Sequence, residues 1–313
     1  MKYLITGASG FLGGRLSYFL EKKGHQVLRG TRNIKLIKSS NENSNWVLTD
    51  FENLQNLRPI LEDVDLLIHA AGPNAEQSNK DSSSIMAYSE LTKKLTKVAK
   101  DSKIKKIIYL STIHVYNKCL EGLINEETPT LNNNNYSLYN LSGEKEIRNN
   151  FGFDPNKAII LRLSNIFGYP INAKVNCWSL FLNNICKEIV EKKTITIKSN
   201  PLIKRDFLSV RSFCEIILKL SSFEFKDTKN NIINFGSENA ITLLEAAKFI
   251  RKIYIDKNKN KIDINILKPS IYSNDFKFCN QILENNNLNF KKIDYEKKEV
   301  EDLLDKCKEY FNS

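Results

Sequence analysis

The residues best equipped for chemistry begin at the amino-terminal end, where Thr6-Gly7-Ala8-Ser9-Gly10-Phe11-Leu12-Gly13 spaces its glycines as G-x-x-G-x-x-G. This spacing suits a pyrophosphate. Gly7 can turn tightly, Gly10 lets a phosphate approach the main chain, and Gly13 lets a following helix pack closely on a strand. The helix opening through Ser9, Phe11 and Leu12 then offers unpaired N–H groups to the anion. A second candidate lies at the end of the next apolar run. In dinucleotide-binding folds an acid there holds the ribose hydroxyls and favours NAD. This chain has Thr31 followed by Arg32. A carboxylate would repel a 2′-phosphate, whereas Thr31 can donate a hydrogen bond and Arg32 can pair with the phosphate and stack on adenine. NADP is therefore the expected cofactor, with NAD the alternative.

These residues need a scaffold, and the apolar pattern supplies one. Tyr3-Leu4-Ile5 predicts a strand, followed by the glycine turn and an amphipathic helix over Phe11 to Lys23. Further strands are predicted at Gln26–Arg29, Trp46–Leu48, Asp65–Ala70, Lys106–Leu110 and Ala158–Leu163. Between the last three lie one helix carrying Met86, Leu91, Leu95 and Val98 on one face, and another over Tyr139 to Asn149. Continuous apolar strands alternating with helices predict a doubly wound parallel sheet covered on both faces. Its ligands belong outside the carboxyl ends of the strands. After Gly168 the rhythm changes, with a helix over Trp178 to Val190, short strands at Ile195–Ile197 and Ile232–Phe235, and a closing helix over Val300 to Tyr310.

Composition narrows the class of protein. Of 313 residues, 41% are hydrophobic, enough for a large core. Lys plus Arg number 47 against 36 Asp plus Glu, giving a formal +11. Basic balance alone points to acidic partners, but lysine spread over solvent faces explains most of it, and no nucleic-acid motif accompanies it. Cys119, Cys177, Cys186, Cys214, Cys279 and Cys307 form no C-x-x-C, and with three histidines no metal site is expected. The opening apolar stretch is too short for a signal peptide, and no run is long enough to span a membrane. The chain reads as soluble and cytoplasmic.

Taken together, the motifs resemble those of the extended short-chain dehydrogenases/reductases, the family of NAD(P)-dependent nucleotide-sugar epimerases, dehydratases and reductases. The resemblance rests on Thr6-Gly7-x-x-Gly10-x-x-Gly13, His69-Ala70-Ala71-Gly72, Leu110-Ser111-Thr112-Ile113-His114-Val115-Tyr116, and Arg162-Leu163-Ser164-Asn165-Ile166-Phe167-Gly168-Tyr169-Pro170. Arg205-Asp206-Phe207-Leu208-Ser209-Val210 and Asn234-Phe235-Gly236-Ser237 extend it in the family's order. It implies a Rossmann core over residues 1–170 with return segments near 205–255, and a smaller C-terminal α/β substrate-binding region over 171–204 and 256–313. It also implies Ala70, Ala71, Gly72, Asp50 and Phe51 at the cofactor, with Asn165 and Arg205 at the phosphates of a nucleotide sugar.

For catalysis the resemblance implies Thr112 as the hydroxyl that polarises the C4 oxygen and Tyr139 as the acid/base. A free phenol has a pKa near 10, and family members lower it with a lysine four residues on, on the same helical face. Here Tyr139 plus four is Gly143, and Lys145 falls on another face. A cation from elsewhere, a slow enzyme without one, or a non-catalytic nucleotide-binding relative all fit that departure. Other positions also depart. Tyr88 stands near an expected asparagine, Arg211 replaces an acid, and only Lys268-Pro269-Ser270 stands near an expected second phosphate arginine. Ile113 and His114 replace the two carboxylates of the family's 4,6-dehydratases, with His114 facing substrate or packed at the strand end. The expected reaction is therefore 4-epimerisation or 4-keto reduction, with a small-carbonyl reductase as a competitor. A homodimer through the helices near 86–100 and 140–150 accords with the family habit.

Overall fold

The computed structural model describes residues 1–38, 45–49, 56–80, 82–116, 120–131, 134–288 and 293–311. Asp50 and Phe51 lie outside them. In chain order the elements are β1 (Lys2–Thr6), α1 (Phe11–Lys22), β2 (Gln26–Thr31), α2 (Ile34–Lys38), β3 (Trp46–Leu48), α3 (Leu57–Glu62) and β4 (Leu66–His69). There follow α4 (Ala75–Lys80), α5 (Ser82–Lys100), β5 (Lys106–Thr112), β6 (Gly122–Ile124), α6 (Asn135–Phe151), β7 (Ala158–Leu163) and β8 (Asn165–Phe167). The remainder are α7 (Phe181–Lys192), β9 (Thr194–Ile197), β10 (Lys204–Ser209), α8 (Val210–Ser222), β11 (Ile232–Phe235) and β12 (Ala240–Thr242). The chain then closes with α9 (Leu243–Asn258), β13 (Asp263–Ile266), β14 (Phe276–Phe278), α10 (Gln281–Asn285) and α11 (Ile293–Phe311).

The first compact unit comprises residues 1–118, 128–163 and 217–234. Its sheet runs β11-β7-β5-β4-β1-β2-β3, and β1 lies between β2 and β4. The pairings from β3 through to β7 are all parallel. This is the doubly wound order whose reversal at β1 leaves a crevice outside the strand ends. The expected strands are present because β1, β4, β5 and β7 are buried almost throughout, as a sheet covered on both faces requires. Leu4, Leu67, Ile107, Tyr109 and Ile160 share one core layer with Leu61 of α3, Leu95 of α5 and Ile147 of α6.

The second unit comprises residues 119–127, 164–216 and 235–313. It has a three-stranded sheet, β12-β10-β8, and two-stranded pairs β13-β9 and β14-β6. Its core is built from Ile185, Ile189, Ile195, Ile250, Leu303 and neighbours on α7, β9, α9 and α11. Among the described residues, no helix is long and apolar enough to cross a membrane.

Candidate active site

The glycine loop leaves β1 at Thr6 and enters α1 at Phe11. Gly7 has φ +71°, and a Cβ there would lie 2.8 Å from the Ala70 carbonyl oxygen and 2.9 Å from the Ala71 Cα. A Cβ on Gly13 would run into the Gly7 carbonyl, 2.8 Å from its carbon. The loop is thus pressed between α1 and the turn after β4, a fit that any side chain would break. Gly10 caps α1 with no side-chain hydrogen bond, and the first turn holds no acid. That leaves uncapped amides at a helix start, which is what a pyrophosphate requires.

Beneath the loop runs a buried relay of hydrogen bonds. The Ala71 N–H donates to Thr6 Oγ1 at 3.3 Å, and Thr6 Oγ1 meets His69 Nδ1 at 2.7 Å. His69 Nε2 meets Thr92 Oγ1 at 3.1 Å, and the Thr92 hydroxyl donates to the Tyr88 carbonyl at 3.0 Å. Because the Thr92 proton is committed to Tyr88, His69 Nε2 must be the donor to Thr92. Nδ1 then accepts from Thr6, and every bond points the same way. Burial lowers the His69 pKa to about 4, so the ring is neutral near pH 7 as this scheme requires.

Tyr139 is 3% exposed, and its phenol donates to the Ala71 carbonyl at 3.1 Å. A Cβ on Gly72 would lie 2.6 Å from that phenol oxygen. Burial raises the Tyr139 pKa to about 12, so its proton stays in place. The tyrosine whose pKa Thr112 influences is instead Tyr136, three residues earlier. Thr112 ends β5, and its Oγ1 accepts the His114 N–H at 3.3 Å. Burial raises the Tyr136 pKa, and hydrogen bonds with Thr112 and Asn140 oppose that rise.

The helix starts earlier than its apolar pattern indicates. Asn134 is the N-cap, its side chain accepting the Ser137 N–H at 2.9 Å, so Tyr136 occupies the first turn of α6. One turn on from Tyr136 is Asn140, whose Nδ2 donates to the Tyr136 carbonyl at 2.8 Å. Gly143 serves packing: a Cβ there would collide with Tyr109 Oη and lie 3.0 Å from Cε1 of the same ring. A lysine does not fit at 143, and Lys145 is exposed. The signal that finds Tyr136 is the asparagine run, whose third member is the cap and from which a tyrosine and a polar residue follow at helical spacing.

Thr31 is 2% exposed, and its Oγ1 accepts the Asn33 N–H at 3.1 Å. Arg32 is exposed; its guanidinium donates to the Tyr88 hydroxyl and lies 4.7 Å from the centroid of that ring. The Tyr88 ring in turn meets Tyr139 edge-on at 6.1 Å. A buried bidentate pair anchors β5 to α6 and β7. Arg162 donates to Glu144 at 2.9 and 2.6 Å, and Ser111 donates to Glu144 at 2.5 Å.

The second unit holds the other expected residues. Asn165 Nδ2 donates to the Asp206 carbonyl at 2.9 Å. Asp206 is fully buried and receives the Ser237 N–H at 2.7 Å and the Ser237 hydroxyl at 2.9 Å. Arg205 is exposed beside it on β10. Arg211 is held by acids of α11, at 2.7 Å from Asp302 and 3.7 Å from Glu299. Among the described residues no group of His, Cys, Asp and Glu is arranged to hold a metal.

Known proteins match this architecture. The model of the NAD dependent epimerase/dehydratase family matches residues 3–236. The chain is 30% identical over 296 residues to a dTDP-D-glucose 4,6-dehydratase of Dictyostelium discoideum, covering 81% of this chain and 62% of that protein, under two thirds of its length. Among solved structures, UDP-N-acetylglucosamine 4-epimerase from Bacillus cereus superposes with a TM-score of 0.78 at 20% identity, over 98% of this chain and 99% of that one. MoeE5, solved with UDP-glucose and NAD, gives 0.77 at 16% identity with both chains fully covered. By its family match, this chain belongs to the NAD dependent epimerase/dehydratase family.

Proposed function

We propose that this chain is an NAD(P)-dependent enzyme acting by oxidoreduction at C4 of a nucleotide-linked hexose, with Thr112 and Tyr136 handling the C4 oxygen. The observation that carries this reading is the placement of Tyr136 beside the carboxyl end of β5, where Thr112 opposes the rise that burial gives its pKa and the His114 ring meets it edge-on. Sugar-nucleotide 4-epimerases and 4,6-dehydratases among the similar proteins support the substrate class. The acid/base role, expected at Tyr139, is assigned to Tyr136, because the Tyr139 proton is engaged by the Ala71 carbonyl.

The main chain of Gly7, Ser9, Gly10, Phe11, Leu12 and Gly13 would hold the cofactor pyrophosphate, with Ala70, Ala71 and Gly72 beside it and Thr31 and Arg32 at the adenosine ribose. When bound, the nicotinamide supplies a hydride donor or acceptor. Arg32 and the lack of an acid at Thr31 support NADP, while MoeE5 was solved with NAD. Tyr136 has Asn140 where family members place a cation, and burial keeps its proton on near pH 7. A protonated phenol is poised to give a proton to a C4 ketone oxygen, which favours 4-keto reduction over oxidation of the alcohol. Asn165 and Arg205 are assigned to the phosphates of the sugar nucleotide. A cytoplasmic location and a homodimer through α5 and α6 belong to the same reading.

The test is single-turnover oxidation of NADPH or NADH by UDP-4-keto-6-deoxyglucose. Tyr136→Phe should slow it by about 10²- to 10⁴-fold, and Tyr139→Phe by about tenfold or less. The opposite ranking would return the role to Tyr139. Cofactor binding without turnover in the wild type would favour a non-catalytic relative, and unchanged sugar-nucleotide affinity in Arg205→Ala would favour a small-carbonyl reductase.

A further inference from the structure

In the second unit β9 and β13 run side by side, with Asp263 opposite Thr194 and Ile266 opposite Ile197. Beyond Ile266 the chain forms a loop tied to the segment that follows β9. The Leu267 N–H donates to the Ile197 carbonyl at 3.0 Å, and Asn200 Nδ2 donates to the Tyr272 carbonyl at 2.9 Å. The Ser273 hydroxyl donates to the Leu202 carbonyl at 3.0 Å, and the Tyr272 hydroxyl to Glu121 at 2.9 Å. Yet the apolar side chains of this pinned loop face water. Ile266 is exposed, Leu267 is 61% exposed and Ile271 wholly so. Single apolar side chains on a surface are ordinary, but three within six residues of a fixed loop mark a contact surface. Its surroundings are basic. Residues 187–204 and 248–277, which carry β9, β13 and their flanks, hold thirteen Lys and Arg against five Asp and Glu. Lys198 lies between the two residues that tie the loop, Lys268 follows Leu267, and both are exposed.

We propose that this loop docks the protein reversibly on an anionic lipid bilayer, with Leu267 and Ile271 entering the interface and Lys198 and Lys268 meeting lipid phosphates. The charge chooses among the occupants. A second copy of the chain would bring the same positive face, so like charges would oppose the contact. A nucleic acid would satisfy the lysines but would not take leucine and isoleucine side chains out of water. An anionic bilayer supplies both an apolar layer and a negative surface within reach of the same loop. Among the described residues no helix is long and apolar enough to cross a membrane, so the contact is peripheral. Two or three apolar side chains with a few lysines give weak, salt-sensitive binding. The proposal does not depend on the C4 reading above.

The experiment sediments the intact chain with vesicles of phosphatidylcholine alone, or of phosphatidylcholine with about 30% phosphatidylglycerol. The wild type should partition onto the anionic vesicles about tenfold or more better than onto the neutral ones, and rising salt should release it. Replacing both apolar residues, Leu267→Ser with Ile271→Ser, should weaken partitioning about tenfold or more at any salt concentration. Lys198→Gln with Lys268→Gln should weaken it by a similar factor and flatten the salt dependence. An unchanged thermal midpoint shows that each variant is folded. Equal binding to both kinds of vesicle, or binding undiminished by the serine pair, overturns the proposal. Absence of vesicle binding overturns it as well. If a concentration-dependent dimer that the serine pair abolishes then appears in ultracentrifugation, the occupant is a second copy instead.

Discussion

Acidification should weaken this fold through His69. The ring is buried at the hinge of the relay from Ala71 to Tyr88, and burial holds its pKa at about 4 against a usual 6.5. Unfolding exposes the ring to water, where it takes up a proton at any pH below 6.5. The folded state binds fewer protons than the unfolded state between pH 6.5 and 4, so stability falls as pH falls through that window. At about 1.4 kcal/mol per pH unit the full loss is about 3 kcal/mol, of which about 1.4 kcal/mol is gone by pH 5.5. The assay is urea unfolding at pH 7.5 and 5.5 for the wild type and His69→Gln. Glutamine does not titrate and can still both donate and accept. Glu296 opposes the trend, since burial raises its pKa to about 7 and its carboxylate form costs stability above pH 4.5. The reading is therefore the difference between the two proteins, from which Glu296 cancels. A wild type losing about 1.4 kcal/mol more than His69→Gln supports the relay. Parallel losses would refute the buried neutral ring.

Gly143→Lys should destabilise by about 3 kcal/mol or more in urea titration, because its Cβ meets a buried ring, and it should not raise turnover. Arg32→Ala should weaken NADPH about tenfold more than NADH by fluorescence titration; equal losses would assign Arg32 to the rim alone. Glu144→Gln should cost about 3–5 kcal/mol by chemical unfolding, since it leaves the Arg162 guanidinium buried without its counter-charge.

The sheet was legible because its strands are apolar on both faces. The runs at Tyr3–Ile5 and Lys106–Leu110 became β1 and β5 with ends moved by a residue or two, and Ala158–Leu163 is β7 unchanged. The glycine loop was equally plain, since its spacing states what the main chain must do there. α6 was harder to read. It buries Ser137, Asn140, Gly143 and Glu144 together with Tyr139 and Ile147, which dilutes the apolar periodicity. Its cap is the third in a row of asparagines that resembles a loop, so the first turn, and Tyr136 with it, fell outside the expected helix. The pairing of β6 with β14 was invisible for a different reason: residues 122–124 and 276–278 are brought together by the fold and not by any local pattern.

Ala71 is gripped from two directions, its amide by Thr6 and its carbonyl by Tyr139, while Gly72 has no room for a side chain. A residue whose own N–H and C=O are both held cannot turn freely about either of its main-chain dihedrals. The loss of main-chain freedom that a ligand would otherwise impose on this turn has therefore already occurred during folding. Loosening either grip should show up as a less favourable binding entropy for the dinucleotide even where every contact with it is retained, a cost that calorimetry would detect.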